Sequence, residues 1–209
     1  MFTNRKQAAL LLAKALEAYR NKNVIVLGIP RGGVETAYYV ARQLDAEFSF
    51  IIVRKLSYPG NPEYAFGAMA EDGTVYHNPK IDLSQEMIDA IEDQQLAEIE
   101  RRKRILREVQ VIPELNNRNI VIVDDGIATG ATIFAAIRMC KKIGAAKIVV
   151  ATPVCTVDTK NELLQEADDV VVLKLPEKFF AVAQYYDSFR DLNDQETLGF
   201  LKKWEKRTV

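Results

Sequence analysis

Histidine is nearly absent from this chain: His77 is the only one in 209 residues. Cys140 and Cys155 are its only cysteines and no C-x-x-C occurs, so a His/Cys metal centre has little to be built from. Two lone thiols read as reduced cysteines of a cytoplasmic protein, not as a disulfide framework. No G-x-S-x-G elbow is present, which leaves a hydrolase triad unsupported. Neither a Gly-Lys-Ser/Thr run nor a G-x-G-x-x-G occurs, which argues against a Walker loop and a dinucleotide fold. No apolar run approaches the ~20 residues that span a bilayer. The opening M-F-T-N-R-K-Q-A-A-L reads as an amphipathic helix without a signal-peptide cleavage region. Charge of either sign is not in excess. With 28 Lys and Arg against 29 Asp and Glu the net charge is −1, so no global field recruits nucleic acid or an anionic membrane.

What is present is the composition of an ordinary globular domain, 48% apolar and 27% charged, with no repeat, linker or low-complexity tract. One domain over residues 1–209 is expected, long enough for a substantial core. Its organising stretch is Asn119 to Thr132, N-I-V-I-V-D-D-G-I-A-T-G-A-T. Ile120 to Val123 is short, apolar and β-branched, as a strand buried on both faces should be. Asp124 and Asp125 stand at its end, followed by a small-residue turn and a helical pattern from Ile133 to Cys140. Loop N–H groups and the positive helix end suit an anion. Gly126 and Gly130 permit close backbone approach, and the Thr129 and Thr132 hydroxyls can donate to phosphate oxygens. Adjacent ionised acids accept hydrogen bonds only, which suits a vicinal diol.

A second loop has the same logic. The run Val24 to Leu27 reads as a buried strand that breaks into G-I-P-R-G-G-V, and a helical pattern follows. Backbone N–H groups there again offer themselves to an anion, with Arg31 adding a cation. Taken alone such a loop often just turns the chain. In a parallel sheet, however, both loops emerge at the same carboxyl edge, where α/β ligands bind.

The stretch V-I-V-D-D-G-I-A-T-G-A-T closely resembles the phosphoribosyl-diphosphate (PRPP) motif of the type I phosphoribosyltransferases. The resemblance covers the core from about Val24 to Leu173. It implies that Asp124 and Asp125 hold the ribose hydroxyls and that Gly126, Ala128, Thr129, Gly130, Ala131 and Thr132 cradle the 5′-phosphate. It assigns the pyrophosphate to Ile29–Gly33, hence to Pro30, Arg31, Gly32 and Gly33, often around a non-proline cis peptide. It also implies a mobile catalytic loop after the second core strand, with Lys55 and then Arg54 as pyrophosphate contacts. Asp124, Asp125 and Lys55 are the catalytic candidates. The implied reaction is Mg²⁺-dependent displacement of pyrophosphate from PRPP by a nitrogenous base, the ion being bound mainly through PRPP, so no protein ligand to a metal is assigned. One departure matters: hypoxanthine/guanine enzymes carry an Asp where this chain has Ala128, although the tail Y-D-S-F-R-D-L-N is loosely similar to theirs. The expected substrates are PRPP and a base other than a 6-oxopurine, in nucleotide salvage or synthesis.

The remaining elements complete an α/β fold: a mostly parallel central sheet with helices on both faces, a projecting flexible hairpin and a small hood. Thr3 is expected to cap a first helix whose Ala8, Leu11, Leu12, Ala15, Leu16 and Tyr19 form one face. Phe48 to Val53 reads as a strand, and residues 56–77 as a hairpin with Pro59-Gly60 and Asn61-Pro62 turns, His77 being an edge or surface residue. Ser84 to Gln110 reads as a long charged helix, including Met87, Ile88, Ile91, Ile99, Leu106 and Val109. Its basic run is a solvated face, Glu98–Arg102 and Glu100–Arg104 are expected pairs, and its sparse apolar stripe suits a homodimer contact. Lys147 to Thr152 and Val170 to Leu173 are further buried strands. The core thus spans about residues 24–175, and 176–209 form the hood and a last helix, Asp194 to Lys206. Phe179, Phe180 and Tyr185 either finish the core or, as the resemblance implies, stack on a flat base. Three function classes stay open at this stage: a transferase, a PRPP- or nucleotide-sensing regulator and an idle interaction protein. The regulator would need a nucleic-acid-binding segment, and the sequence shows neither a helix-turn-helix before Val24 nor a basic patch.

Overall fold

Branched aliphatics buried end to end set the architecture. In the computed structural model, which describes residues 1–58, 60–79, 81, 83–108 and 110–208, the side chains of Pro62, Glu63, Tyr64 and Thr208 lie outside the description. The chain begins with helix α1 (Arg5–Ala15), strand β1 (Val24–Gly28), helix α2 (Gly32–Leu44) and strand β2 (Glu47–Phe50). Three antiparallel strands follow, β3 (Val53–Tyr58), β4 (Asn61–Ala70) and β5 (Val75–His77), and then helix α3 (Gln85–Leu106). The second half runs through β6 (Asn119–Val123), α4 (Ala131–Ile143), β7 (Lys147–Val154), α5 (Val157–Leu163), β8 (Asp169–Lys174) and α6 (Asp194–Thr208).

The central sheet has five parallel strands in the order β2-β1-β6-β7-β8. Successive side chains of a strand point to opposite faces, and both faces here are covered. Ile25, Leu27, Ile120, Ile122, Ile148 and Val150 pack with α4 on one side. Val24, Val26, Val121, Val123 and Val149 pack with α1 and α2 on the other. From β1 the chain steps to the β2 edge, whereas from β6 it steps towards β8. The order therefore reverses between β1 and β6, and a crevice opens at their carboxyl ends. No described helix is long and apolar enough to cross a membrane.

Several expectations are corrected. Asn4, not Thr3, caps α1, its side chain accepting from Gln7 N. The buried face is Ala8, Ala9, Leu12, Ala13 and Leu16, while Leu11 is exposed. Val53 does not extend β2: the strand stops at Phe50 and Val53 opens the hairpin sheet. α3 ends at Leu106, and Val109 lies outside the described residues. Of the expected pairs, Glu98–Arg102 forms at 3.1 Å, whereas Glu100 pairs with Lys103 at 2.8 Å. Pro59 and the side chains of Pro62 and Glu63, part of the expected mobile loop, lie outside the described residues.

The break at Ile51–Ile52 has an identifiable cause. Ile51 N donates to Gly28 O at 3.1 Å, and Ile52 N leaves the sheet to donate to Glu71 Oε1 at 3.0 Å. Glu71, buried, forms a two-pronged ion pair with Arg107, which also donates to Phe50 O at 2.8 Å and lies 4.0 Å over the Phe50 ring. One acid thus ties the hairpin, the end of β2 and the end of α3 together. Glu71→Ala should cost about 3–5 kcal/mol, the usual result of leaving one buried partner uncompensated. Urea unfolding of the two proteins measures it. A loss below ~1 kcal/mol would mean that Arg107 finds water instead.

Candidate functional site

The crevice between β1 and β6 is lined by the two loops singled out in the sequence, and they touch. β1 and β6 run in register to Gly28 and Val123, and Ile29 N still donates to Val123 O at 3.0 Å. Beyond that point Pro30–Arg31 is a cis peptide bond, and α2 starts at Gly32. A Cβ on Gly32 would lie 1.9 Å from Asp125 Oδ2, and one on Gly33 would lie 2.8 Å from Asp124 Oδ1. Only glycine allows this approach. The glycine pair of one loop is the floor under the acid pair of the other.

Asp125 is held from both ends of the chain. Arg5 Nε donates to its Oδ2 at 2.6 Å in a buried pair, and Arg5 Nη1 donates to Arg190 O at 2.8 Å. The Arg5 guanidinium also stacks 4.0 Å from the Phe189 ring. Tyr186 Oη donates to the Asp125 carbonyl at 2.5 Å. Phe2 and Tyr186 form a parallel bridge, so the N-terminal segment and the tail reach the acids as one unit. Asp124 Oδ1 accepts from Asp125 N at 2.9 Å. Burial, and then the charge of Asp125, push the Asp124 carboxyl well above the usual range. Burial raises Asp125 too, against the opposing pull of Arg5.

Two cavities meet at these acids. The smaller, about 220 Å³, is lined by Asp124 to Thr132 with Lys55 and Val182. Gly130 caps α4 at φ 74°, a left-handed conformation that turns the first-turn N–H groups, which have no intrahelical acceptor, towards this space. The loop is pinned from behind: Ile127 N donates to Val154 O at 2.9 Å and Thr159 Oγ1 donates to Ala128 O at 2.6 Å. The larger cavity, about 580 Å³, is lined by Pro30, Arg31, Gly32, Arg54, Lys55 and the two acids. Lys55 thus faces both.

The expected hood residues are elsewhere. Phe180 is 86% exposed, and Phe179 and Tyr185 lean on each other at 5.4 Å. None of the three lines either cavity. The tail contributes Val182, Phe189, Asp191 and Leu192 instead. Three further residues were missed in the sequence: Arg5, Arg102 and Gln95 line the larger cavity. Arg5 carried a signal, since a charged residue on an apolar helix face needs a buried partner. Arg102 lay hidden in a run of like residues.

Among the described residues no cluster of three or more His, Cys, Asp or Glu side chains could hold a metal alone. Asp124, with Asp125 partly engaged by Arg5, offers one or two carboxylate oxygens. That donor set fits a Mg²⁺ ion that keeps its waters and arrives on substrate phosphates.

A family model, the phosphoribosyl transferase domain, matches residues 4–189. Among curated proteins, one from Mycobacterium tuberculosis H37Rv with a provisional phosphoribosyl transferase name is 42% identical over 207 residues, covering 97% of this chain and 47% of its own length. The chain therefore spans about half the length of the curated relatives it matches. Among solved structures, the TT1426 protein of Thermus thermophilus is 36% identical, with 98% of this chain and 99% of that one covered and a TM-score of 0.84. A hypoxanthine phosphoribosyltransferase of Staphylococcus aureus shares the fold at 17% identity and a TM-score of 0.50, over 86% and 78% of the two chains.

The electrostatics of the acid pair has a measurable sign. A folded-state pKa raised above the unfolded value makes stability fall as pH rises from about 4 towards that raised value. Asp124→Asn removes the charge while its side-chain oxygen can still accept from Asp125 N. The ligand-free variant should therefore melt about 2–4 °C above the parent at neutral pH, what ~1 kcal/mol is worth at this size. The gap should close below about pH 4, where Asp is protonated in both states. Calorimetry across pH 4–8 checks it; a lower melting temperature at pH 7 would contradict the account.

Proposed function

The chain belongs to the phosphoribosyl transferase domain family, and from that premise we propose that it transfers a 5-phosphoribosyl group from PRPP to a nitrogenous base, releasing pyrophosphate, in nucleotide salvage or synthesis. The observation that carries this reading is the contact of Gly32 and Gly33 with Asp125 and Asp124, which joins an anion loop and a diol-binding acid pair in one crevice. The 5′-phosphate lies in the cradle from Gly126 to Thr132, at the start of α4. The ribose hydroxyls donate to Asp124 and Asp125. The diphosphate faces the backbone of Pro30 to Gly32, with Arg31 and Lys55 beside it and Gly33 packed behind them against Asp124.

In the reaction a base nitrogen attacks C1 of the ribose as the bond from C1 to the diphosphate oxygen breaks. The diphosphate takes that electron pair, and the nitrogen loses its proton. Positive charge builds on the ring in a transition state like that of glycoside cleavage. The protein's part is to fix the sugar by both ends and to keep water from C1. Asp124 and Asp125 are the residues that would help to hold a Mg²⁺ ion brought by the substrate, and such an ion would supply neutralisation of the leaving charge. The Ala128 side chain offers no carboxylate to accept a proton from the base. The acceptor is then a base that needs no carboxylate there, such as adenine, a pyrimidine or an amine. If one is needed, Asp191, a further acid on the wall of the larger cavity, is the candidate.

Two measurements test this. Asp124→Asn should weaken PRPP binding about tenfold or more, since a hydrogen bond to a charged group is worth roughly 1.5–3 kcal/mol; unchanged affinity by calorimetry would sink the assignment. Pyrophosphate release from PRPP and Mg²⁺ across a panel of bases should place hypoxanthine and guanine well below the best acceptor. A positioned general base contributes about 10²–10⁴-fold, so a 6-oxopurine with the highest kcat/KM would mean that Asp191 or another acid replaces Ala128.

A further inference from the structure

The larger cavity holds more positive charge than the two family loops provide. Five cations line it, Arg5, Arg31, Arg54, Lys55 and Arg102, from four separate chain segments, against three acids, Asp124, Asp125 and Asp191. Arg102 belongs to α3, outside the central sheet, and is only 8% exposed. Its Nε donates to Glu98 Oε1 at 3.1 Å, but Glu98 is shared with Arg101 at 2.7 Å. The Arg54 Nε, from β3, donates to the neutral Gln95 of α3 at 3.1 Å. Glu98 thus serves Arg102 and also Arg101, which reaches Asp194 as well at 3.6 Å, and it feels Arg54; its pKa is held down to about 2, first by Arg101 and then by Arg102. Burial, followed by the repulsion of Arg102 and Arg31, makes Arg54 easier to deprotonate than an ordinary Arg. Buried cations that share too little negative charge are costly to a fold. An anion entering the cavity relieves that cost, and guanidinium forks match phosphate oxygens two at a time.

Resting on the reading of the site given above, we infer that Arg102, with Arg54 beside it, binds the leaving diphosphate, so that α3 supplies an arm of the anion site additional to the two loops. The charged helix between the hairpin and β6 is on this view part of the substrate-binding apparatus. Gln95 positions Arg54, and Glu98 positions Arg102.

The test uses the full chain and three ligands: PRPP, inorganic pyrophosphate and ribose 5-phosphate, which lacks the diphosphate. Arg102→Gln should weaken PRPP and pyrophosphate by about tenfold or more, the range of a lost charged hydrogen bond, and leave ribose 5-phosphate within about twofold. Arg102→Lys keeps the charge but not the fork. It should lose about threefold or more for pyrophosphate with ribose 5-phosphate unchanged, and it carries the test if the Gln variant fails to fold. Unchanged pyrophosphate affinity in both variants, or an equal loss for ribose 5-phosphate, overturns the inference while the phosphoribosyl site stands. A parent protein that binds neither PRPP nor ribose 5-phosphate overturns both.

Discussion

Everything at the site depends on two glycines lying against two aspartates. Gly32 and Gly33 leave no room for a methyl group beside Asp125 and Asp124. That contact is possible only because β1 and β6 are neighbours in register, so that their loops leave the sheet side by side. Adjacency in the sheet is in turn fixed by strands covered on both faces, which have no solvent edge along which to slip. The acids also depend on distant segments. Arg5 reaches the Asp125 carboxylate and Tyr186 holds its carbonyl, so the buried acid is kept in place by a cation and a phenol from distant segments, while Asp124 is held within the loop by Asp125 N.

The central features were legible because they are local. A β-branched run followed by paired acids and a glycine turn needs no partner to be recognised, and Asn119–Val123 and Ala131–Ile143 fall where the pattern puts them. The parallel sheet followed from the same apolar runs separated by helical spacing. The hairpin was legible as well, because Gly60 and Asp72-Gly73 mark its turns, although Asn61, expected in a turn, opens β4 instead.

What was not legible depends on pairings between residues far apart in the chain. The end of β2 looks like continuous strand from Phe48 to Val53, and only Glu71 and Arg107, brought in from elsewhere, bend it at Ile51. Arg102 is one of several cations in E-I-E-R-R-K-R, and helical spacing says which face it shares but not that β3 lies opposite. Aromatic residues show the same limit. Phe179 and Phe180 invited a stacking role by their chemistry, yet the cavity wall is made by Val182 and Phe189 a few residues on. A ring's affinity for a flat ligand carries no information about where the chain turns.

The clamp on Asp125 by the first turn of α1 has a consequence for how the protein loses function on warming. Helix ends fray at a free energy well below that of global unfolding. Asn4 and Arg5 sit in such an end, and each opening leaves Asp125 as a buried acid without its cation. Heat inactivation should therefore begin as a local, reversible event at the N-terminus, with the sheet and its two cores still intact, so that the temperature at which the site fails and the temperature at which the fold fails are separate properties of this molecule.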